Sequence, residues 1–396
     1  MKVVIEKDFL GNKRNLVLDD DSYYWLGSSC EDADLVLDLS ENNSLNSILS
    51  LYGIEPIRFI DKNFVKLCET LGIKNPEWKF ILPQKVYSKK IRKFQEQLKE
   101  VKSFLGRENY LASFASGNRI LRNLSRIKPN EYLLKDFISK ETNPTLKSII
   151  SSFLPEEDGY CRPITYNRLK TVTGRLTINN GPQALLLPRE MKKIIQSRYG
   201  KDGSVVWVDF VSLEPRFTKL ITTTDTQVDI YEDILKLYNL ECTRKQIKLA
   251  VLSTLFGAGL SKITSIVGKE AVVARRAIKE YFCLDRILSL TGDYKSGKIK
   301  NYFDRPINLK KSTANVAINN YIQSSSVDVS LMGFSSIIED PELPKSVRPL
   351  CVIHDALVLD VRNSDIDKTI GIINKGVHID SVGHFFLGFE LYENNS

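Results

Sequence analysis

Val205-Val206-Trp207-Val208-Asp209 and Cys351-Val352-Ile353-His354-Asp355-Ala356-Leu357-Val358-Leu359 decide how this chain is read. In each stretch an acid follows an apolar run, and in the second the apolar pattern resumes beyond it. Short runs rich in Val, Ile and Leu predict buried strands. Asp209 is therefore expected at a strand tip and Asp355 in a hairpin. Two aspartates held on strand tips can share a pair of divalent cations about 3.5–4 Å apart, the arrangement that supports in-line displacement at phosphorus. Alone, Asp355 is equally well an acid in a tight turn; it gains meaning beside Asp209.

Between the two acids lies Thr243-Arg244-Lys245-Gln246-Ile247-Lys248. Thr and Gln three residues apart fit a capping box, which predicts a helix starting there. Arg244, Lys248, Leu252 and Phe256 then recur every four residues and form one stripe. Ile247, Ala250, Val251, Thr254 and Leu255 lie mostly off that stripe and can anchor the helix. Cations in a first helical turn oppose the helix dipole unless an anion binds there. A nucleotide's phosphates would meet Arg244 and Lys248, with its base on Phe256. An amphipathic helix with ordinary surface charges explains the same residues.

The rest of the chain sets the frame. Its 396 residues, 42% hydrophobic and 26% charged, describe an ordinary globular protein large enough for two or three subdomains. The six cysteines are scattered with no Cys-x-x-Cys pair, against a disulfide framework or zinc site and in favour of a reducing, intracellular location. No apolar stretch approaches the roughly 18–20 residues that span a bilayer, and the N-terminus lacks the apolar core of a secretion signal. Residues 1–60 carry 5 Lys/Arg against 11 Asp/Glu, a balance of −6 that leaves +14 for the remainder. A polyanionic partner would lie against that larger basic portion.

Strand-like runs and acids make residues 1–84 a small separate module, which either docks a protein partner or braces its neighbour. From Lys85 to about residue 155 the pattern turns helical and basic. Val86 to Leu98 has apolar residues three to five apart with Lys and Arg between, Asn118 to Arg126 is amphipathic, and Lys128-Pro129-Asn130 marks a break. Such helices suit a grip on a nucleic-acid backbone or a solvated hairpin. Beyond Cys161 the reading is mixed: a strand ending at Asp209, a helix opening near Pro215, mainly helices over 223–300, a long helix from Thr313 to about Ile338, the Asp355 hairpin and a strand-rich tail from Val377.

Thr171-Val172-Thr173-Gly174-Arg175-Leu176, Asp209-Phe210-Val211-Ser212-Leu213-Glu214-Pro215-Arg216, Arg244-x3-Lys248-x7-Phe256-Gly257 and Ile353-His354-Asp355 resemble, in order and spacing, the motifs of family A DNA polymerases, the bacterial polymerase I type. Asn319 and Gln323 are similar to that family's helix before the last motif. The resemblance covers about residues 160–396. It implies an α/β (α+β) right-hand architecture: a helical thumb over 85–155, an antiparallel-sheet palm from 156–222 and 315–396, and helical fingers over 223–314.

The resemblance also implies roles. Asp209 and Asp355 would hold two Mg²⁺ ions, with Mn²⁺ as a substitute, and with Lys248 form the catalytic set. Arg244, Lys248, Leu252, Phe256 and Glu214 would bind the deoxynucleoside triphosphate. Arg175, Asn319, Gln323 and His354 would contact primer–template DNA near the primer end. Glu214 would exclude a ribose 2′-hydroxyl by filling its space. Five positions depart from the family pattern: Phe256 for Tyr, Leu252 for an aromatic, Ala356 for Glu, Asn315 for Arg, and Pro215 after the gate Glu. Asp34, Asp38 and Glu41 lack the family's exonuclease spacing, so no 3′–5′ proofreading is expected. The competing functions are a single-subunit RNA polymerase or primase-like enzyme, and a catalytically silent DNA-binding subunit.

Overall fold

The computed structural model describes residues 110–223 and 229–393 throughout, and short stretches between 2 and 96. It divides into two compact units: residues 1–115 with 168–170, and residues 116–167 with 171–396. Asp34, Glu41 and Leu98 lie outside the described residues, as does most of 94–109 in the basic helical stretch.

The first unit contains a four-stranded sheet of β1 (Val3–Glu6), β2 (Asn15–Asp19), β3 (Ser22–Leu26) and β4 (Leu35–Asp38) in the order β3-β2-β1-β4. Val4, Leu16 and Val17 are buried in it. This unit also holds the start of α1 (Tyr110–Arg122), where the Arg168 guanidinium lies 4.5 Å from the Phe114 ring centre and donates to the Phe114 carbonyl.

In the second unit, Asn130 accepts from the Leu133 N–H and caps α2 (Glu131–Lys140), and Asn143 caps α3 (Pro144–Ser151), whose first residue is the Pro tolerated there. The short strands β5 (Lys128–Pro129) and β8 (Ile195–Gln196) pair with each other, and the pair β6 (Thr165–Asn167) and β7 (Thr177–Asn180) brackets the Thr171–Arg175 motif. β9 (Gly203–Phe210) follows, ending one residue beyond the Asp209 of the sequence reading. Next come the helices α4 (Leu213–Thr222), α5 (Ile230–Leu237), α6 (Arg244–Leu255), α7 (Leu260–Val267), α8 (Ala271–Tyr281) and α9 (Leu284–Leu290). After a small hairpin, β10 (Lys298–Lys300) with β11 (Pro306–Asn308), the chain runs into the 25-residue α10 (Ala314–Ile338). It closes with β12 (Arg348–Ile353), β13 (Ala356–Arg362), α11 (Ile366–Asn374), β14 (Val377–Ile379), β15 (Gly383–Phe385) and β16 (Leu387–Glu393).

The central sheet has the order β12-β13-β9-β16, antiparallel throughout. β9 sits between two partners and is apolar on both faces, as a doubly covered strand must be. On one face Val205 and Trp207 join Ile127, Leu134, Phe153, Ile194 and Leu350 in a core. On the other, the Phe210 ring centre lies 5.2 Å from that of Phe334 on α10 and 5.9 Å from that of Phe385. Gly333 permits this approach, since a Cβ there would fall 2.8 Å from Phe210. α10 is buried nearly all round and uses small residues, Ser324, Ser325, Ser326 and Ser330, to pass through the interior. Among the described residues no helix is long and apolar enough to cross a membrane.

Candidate active site

Strand register brings the two acids together. Ala356, which follows Asp355, pairs with Asp209, and Gly388 pairs with Asp209 from the other side. Residues directly opposite in an antiparallel sheet share a face, so Asp209 is flanked on its own face by a methyl group and a hydrogen. A Cβ at Gly388 would find nothing nearer than 3.9 Å. Beside Asp209, then, lies room rather than side chain. Asp355 occupies a two-residue loop joining Ile353 to Ala356, and His354, exposed in the same loop, adopts φ 55°. Positive φ in a short hairpin loop matches the twist of the strands it joins, and His is among the residues that accept it.

Electrostatics register the same convergence. The Asp209 carboxyl is pushed up from 3.8 to about 7, first by desolvation and then by the Asp355 charge. The Phe210 N–H, Lys192 and Lys248 oppose the rise. Its tip is open to solvent while protein crowds its other sides, so burial here is that of a recess and not of a core. Glu214 is also raised, by burial and then by Asp355, against its own backbone N–H and Arg175. An Arg175 Nη lies 3.7 Å from Glu214 Oε1. Three carboxylates and three cations thus share one neighbourhood, and a metal cation placed between the acids would relieve their repulsion.

α4 sets Glu214. Ser212 precedes the helix in the left-handed region, φ 59° and ψ 53°, and the helix opens at Leu213, near Pro215 as expected, with the proline in its first turn. Glu214 is therefore in the first turn, where the dipole favours an anion. Leu213 and Phe217 fix the helix in the core, and Arg216, fully buried, places its guanidinium 4.6 Å from the Phe386 ring centre.

α6 begins with the capping box the sequence announces: the Gln246 N–H donates to Thr243 Oγ1 at 3.2 Å, and the Thr243 N–H to Gln246 Oε1 at 2.9 Å. Ile247, Ala250, Val251, Thr254 and Leu255 are its buried face. Along the stripe, Arg244 and Lys248 are exposed while Leu252 and Phe256 are half-buried, so the helix offers cations at one end and apolar surface at the other. Phe256 is the capping residue at the helix end, not a member of its last turn. The next residue, Gly257, adopts φ 78°, and a Cβ on it would lie 3.2 Å from the Asn315 Cβ, so α6 ends against the first turn of α10.

Of the residues singled out in the sequence, Asp355 and Lys248 act electrostatically on Asp209, and Asp355 and Arg175 on Glu214. Arg244 pairs instead with Asp229. Asn319 and Gln323, four apart, are half-buried on one face of α10. The Asn319 Oδ1 is buried without a hydrogen-bond partner. No described contact ties these two, His354, Leu252 or Phe256 to the acids.

Sequence reasoning missed Lys192, whose Nζ lies 3.9 Å from the Trp207 ring centre, 3.6 Å from Glu390, and acts on Asp209. Nothing local marks it. It missed Asp229 too, although Asp229-Ile230-Tyr231-Glu232 has the spacing of a capped helix start.

Among the described residues, no three His, Cys, Asp or Glu side chains close into a cage for a metal. Mg²⁺ does not need one: it keeps several waters and is held by one or two carboxylates plus substrate phosphates. Asp209, whose proton affinity the neighbouring Asp355 charge raises, together with Asp355 and the open space beside them, fits that donor set.

No protein-family model matches the chain. A 169-residue stretch is 25% identical to a DNA polymerase of Bacillus phage SP01, covering 40% of this chain and 16% of the phage protein. The polymerase domain of Pol1 from M. smegmatis, solved in complex with DNA primer-template and dNTP, matches with a TM-score of 0.50 at 17% identity, over 68% of this chain and 58% of that one. The chain therefore spans less than two thirds of either relative. Its mixed helix-and-sheet fold is that of a DNA polymerase domain. The resemblance to family A DNA polymerases, first carried by five short motifs, is supported by sequence and by fold.

Proposed function

We propose that this protein is a template-directed DNA polymerase that adds deoxynucleotides to a primer 3′ end by two-metal phosphoryl transfer. The observation that carries the reading is the approach of Asp355 to Asp209 across β13 and β9, with the Lys248 charge acting on Asp209. In this reading the β12-β13-β9-β16 sheet is the palm, the helices α5 to α9 are the fingers, and the basic helical stretch from residue 85 is the thumb.

Asp209 and Asp355 would hold the Mg²⁺ ions. When bound, such ions lower the pKa of an attacking hydroxyl and offset charge on the leaving pyrophosphate. The chain's own groups do the rest. Lys248 and Arg244 stand one helical turn apart and exposed, so that both can meet a triphosphate along one line. Leu252 and Phe256, further along the stripe, supply the apolar surface for a base. Arg175 reaches Glu214 and can serve the primer end from the same place. Glu214, held in the first turn of α4 with its side chain only 18% exposed, has little freedom to yield to a 2′-hydroxyl, which favours deoxynucleotides over the RNA-polymerase reading. A silent binding subunit would need no paired acids.

The test is extension of a labelled primer on a template with Mg²⁺ and either deoxy- or ribonucleotides. Extension with deoxynucleotides that is lost in Asp209→Ala and in Asp355→Ala supports the proposal. Tight duplex binding with no extension by either set, in Mg²⁺ or Mn²⁺, refutes it. The same reading has no 3′–5′ exonuclease in this chain; erosion of a single-stranded 3′ end by the purified protein would contradict that part.

A further inference from the structure

A cation in the first turn of a helix is unfavourable without an anion, and Arg244 opens α6. The protein itself supplies one. Arg244 Nε donates to Asp229 Oδ2 at 2.8 Å. The other Asp229 oxygen accepts from the N–H groups of Tyr231 at 3.1 Å and Glu232 at 3.2 Å, capping α5. Both oxygens of the carboxylate are thus engaged, and the acid is fixed to a helix whose Ile230, Tyr231 and Ile234 are buried. The Arg244 guanidinium carbon also lies 5.4 Å from the Tyr231 ring centre, so one helical turn offers it both a carboxylate and an aromatic face.

A guanidinium has five N–H donors in a rigid fork. Asp229 engages the Nε edge. Among the described residues the terminal amines have no protein acceptor, and the side chain is half exposed. Phosphate oxygens are bound through such an edge, often by two parallel hydrogen bonds. An unanchored Arg loses much rotamer freedom on binding; one already held at Nε loses less.

We propose that Asp229 is a positioning residue that aims the free edge of Arg244 at the phosphates of a nucleoside triphosphate. The inference rests on the polymerase reading for its substrate, and its test separates the two. Asn caps helices as well as Asp does, so Asp229→Asn keeps the start of α5 and removes only the charge that holds Arg244. Asp229→Ala removes both.

In single-nucleotide primer extension, Asp229→Asn is expected to raise KM for the deoxynucleotide about tenfold with kcat within about twofold. Its melting temperature should match the wild type, and the KM effect should vanish in an Arg244→Ala background. An unchanged KM overturns the proposal. So does a lowered KM, which would make Asp229 a competitor of the phosphates, or an equal rise in the Arg244→Ala background. The same variants are titrated with a fluorescent deoxynucleoside triphosphate by anisotropy, without turnover. Binding that weakens in Asp229→Asn in a protein that extends no primer refutes the polymerase reading and upholds the role of Asp229. Primer extension indifferent to Asp229→Asn does the reverse, and absence of triphosphate binding to the wild type overturns both.

Discussion

Asp209→Asn should stabilise the metal-free protein, the reverse of what replacing a buried, well-bonded acid would do. Desolvation and the Asp355 charge raise the Asp209 carboxyl from 3.8 to about 7 in the folded chain. Unfolded, it ionises at its ordinary value. Between those two values folding favours the protonated acid, so the ionised form works against the fold as pH rises. That penalty is absent below pH ~4, grows between pH ~4 and ~7, and is complete above ~7. At about 1.4 kcal/mol per pH unit the gap amounts to about 4 kcal/mol. The carboxylate tip is solvent-exposed, and screening reduces this to about 1–2 kcal/mol. Asn carries no charge and escapes the penalty. Differential scanning fluorimetry in EDTA should show Asp209→Asn melting about 2–5 °C above wild type at pH 8, with the advantage less than half as large at pH 5. Added Mg²⁺ should raise the wild type more than the variant, because the ion binds the carboxylate pair. Equal melting temperatures at pH 8, or a less stable variant, would mean that the two acids do not repel and that their convergence has been misread.

Three further outcomes follow from the same geometry. Gly174 adopts φ 77°, and a Cβ there would sit 3.0 Å from the Arg305 guanidinium carbon; Gly174→Ala should cost about 1–3 kcal/mol by urea denaturation and weaken primer extension, since it displaces the turn before Arg175. Asp360, 1% exposed, accepts from Ser197 Oγ at 2.5 Å and from Arg198 Nε at 2.9 Å; Asp360→Ala should lose about 3 kcal/mol in the same assay by stranding both donors. Glu214→Ala should raise ribonucleotide incorporation at least about tenfold relative to deoxynucleotide, read as a ratio of kcat/KM values. An unchanged ratio would remove the sugar-gate role.

What could be read in advance was what depends on neighbours in sequence. Short apolar runs rich in β-branched residues marked β9 and the hairpin, and the Thr243–Gln246 spacing marked the start of α6, because strands and helix caps are local devices. The long helix read from Thr313 to about Ile338 is α10, Ala314–Ile338. The approach of Asp355 to Asp209 was legible only as an expectation, since it depends on β13 lying beside β9, a choice the chain makes through the whole sheet. The start of α4 was legible near Pro215 because a proline is tolerated in a first helical turn, and Pro215 is the third residue of that helix. Lys192 and the partner of Arg244 stayed hidden because each acts on a residue at least fifteen positions away. A lysine over Trp207 and an aspartate before α5 look, one at a time, like any surface cation and any cap.

Whether Asp209 and Asp355 act as one cation site is tested most directly by Mn²⁺ binding, followed by electron paramagnetic resonance in the presence of primer–template and a non-reactive deoxynucleoside triphosphate analogue. The account predicts binding to the wild type, weakened at least about tenfold by either Asp209→Asn or Asp355→Asn, with the double variant little worse than the single ones, as for residues that act as a unit. Mn²⁺ binding unaffected by one of the two substitutions would contradict it.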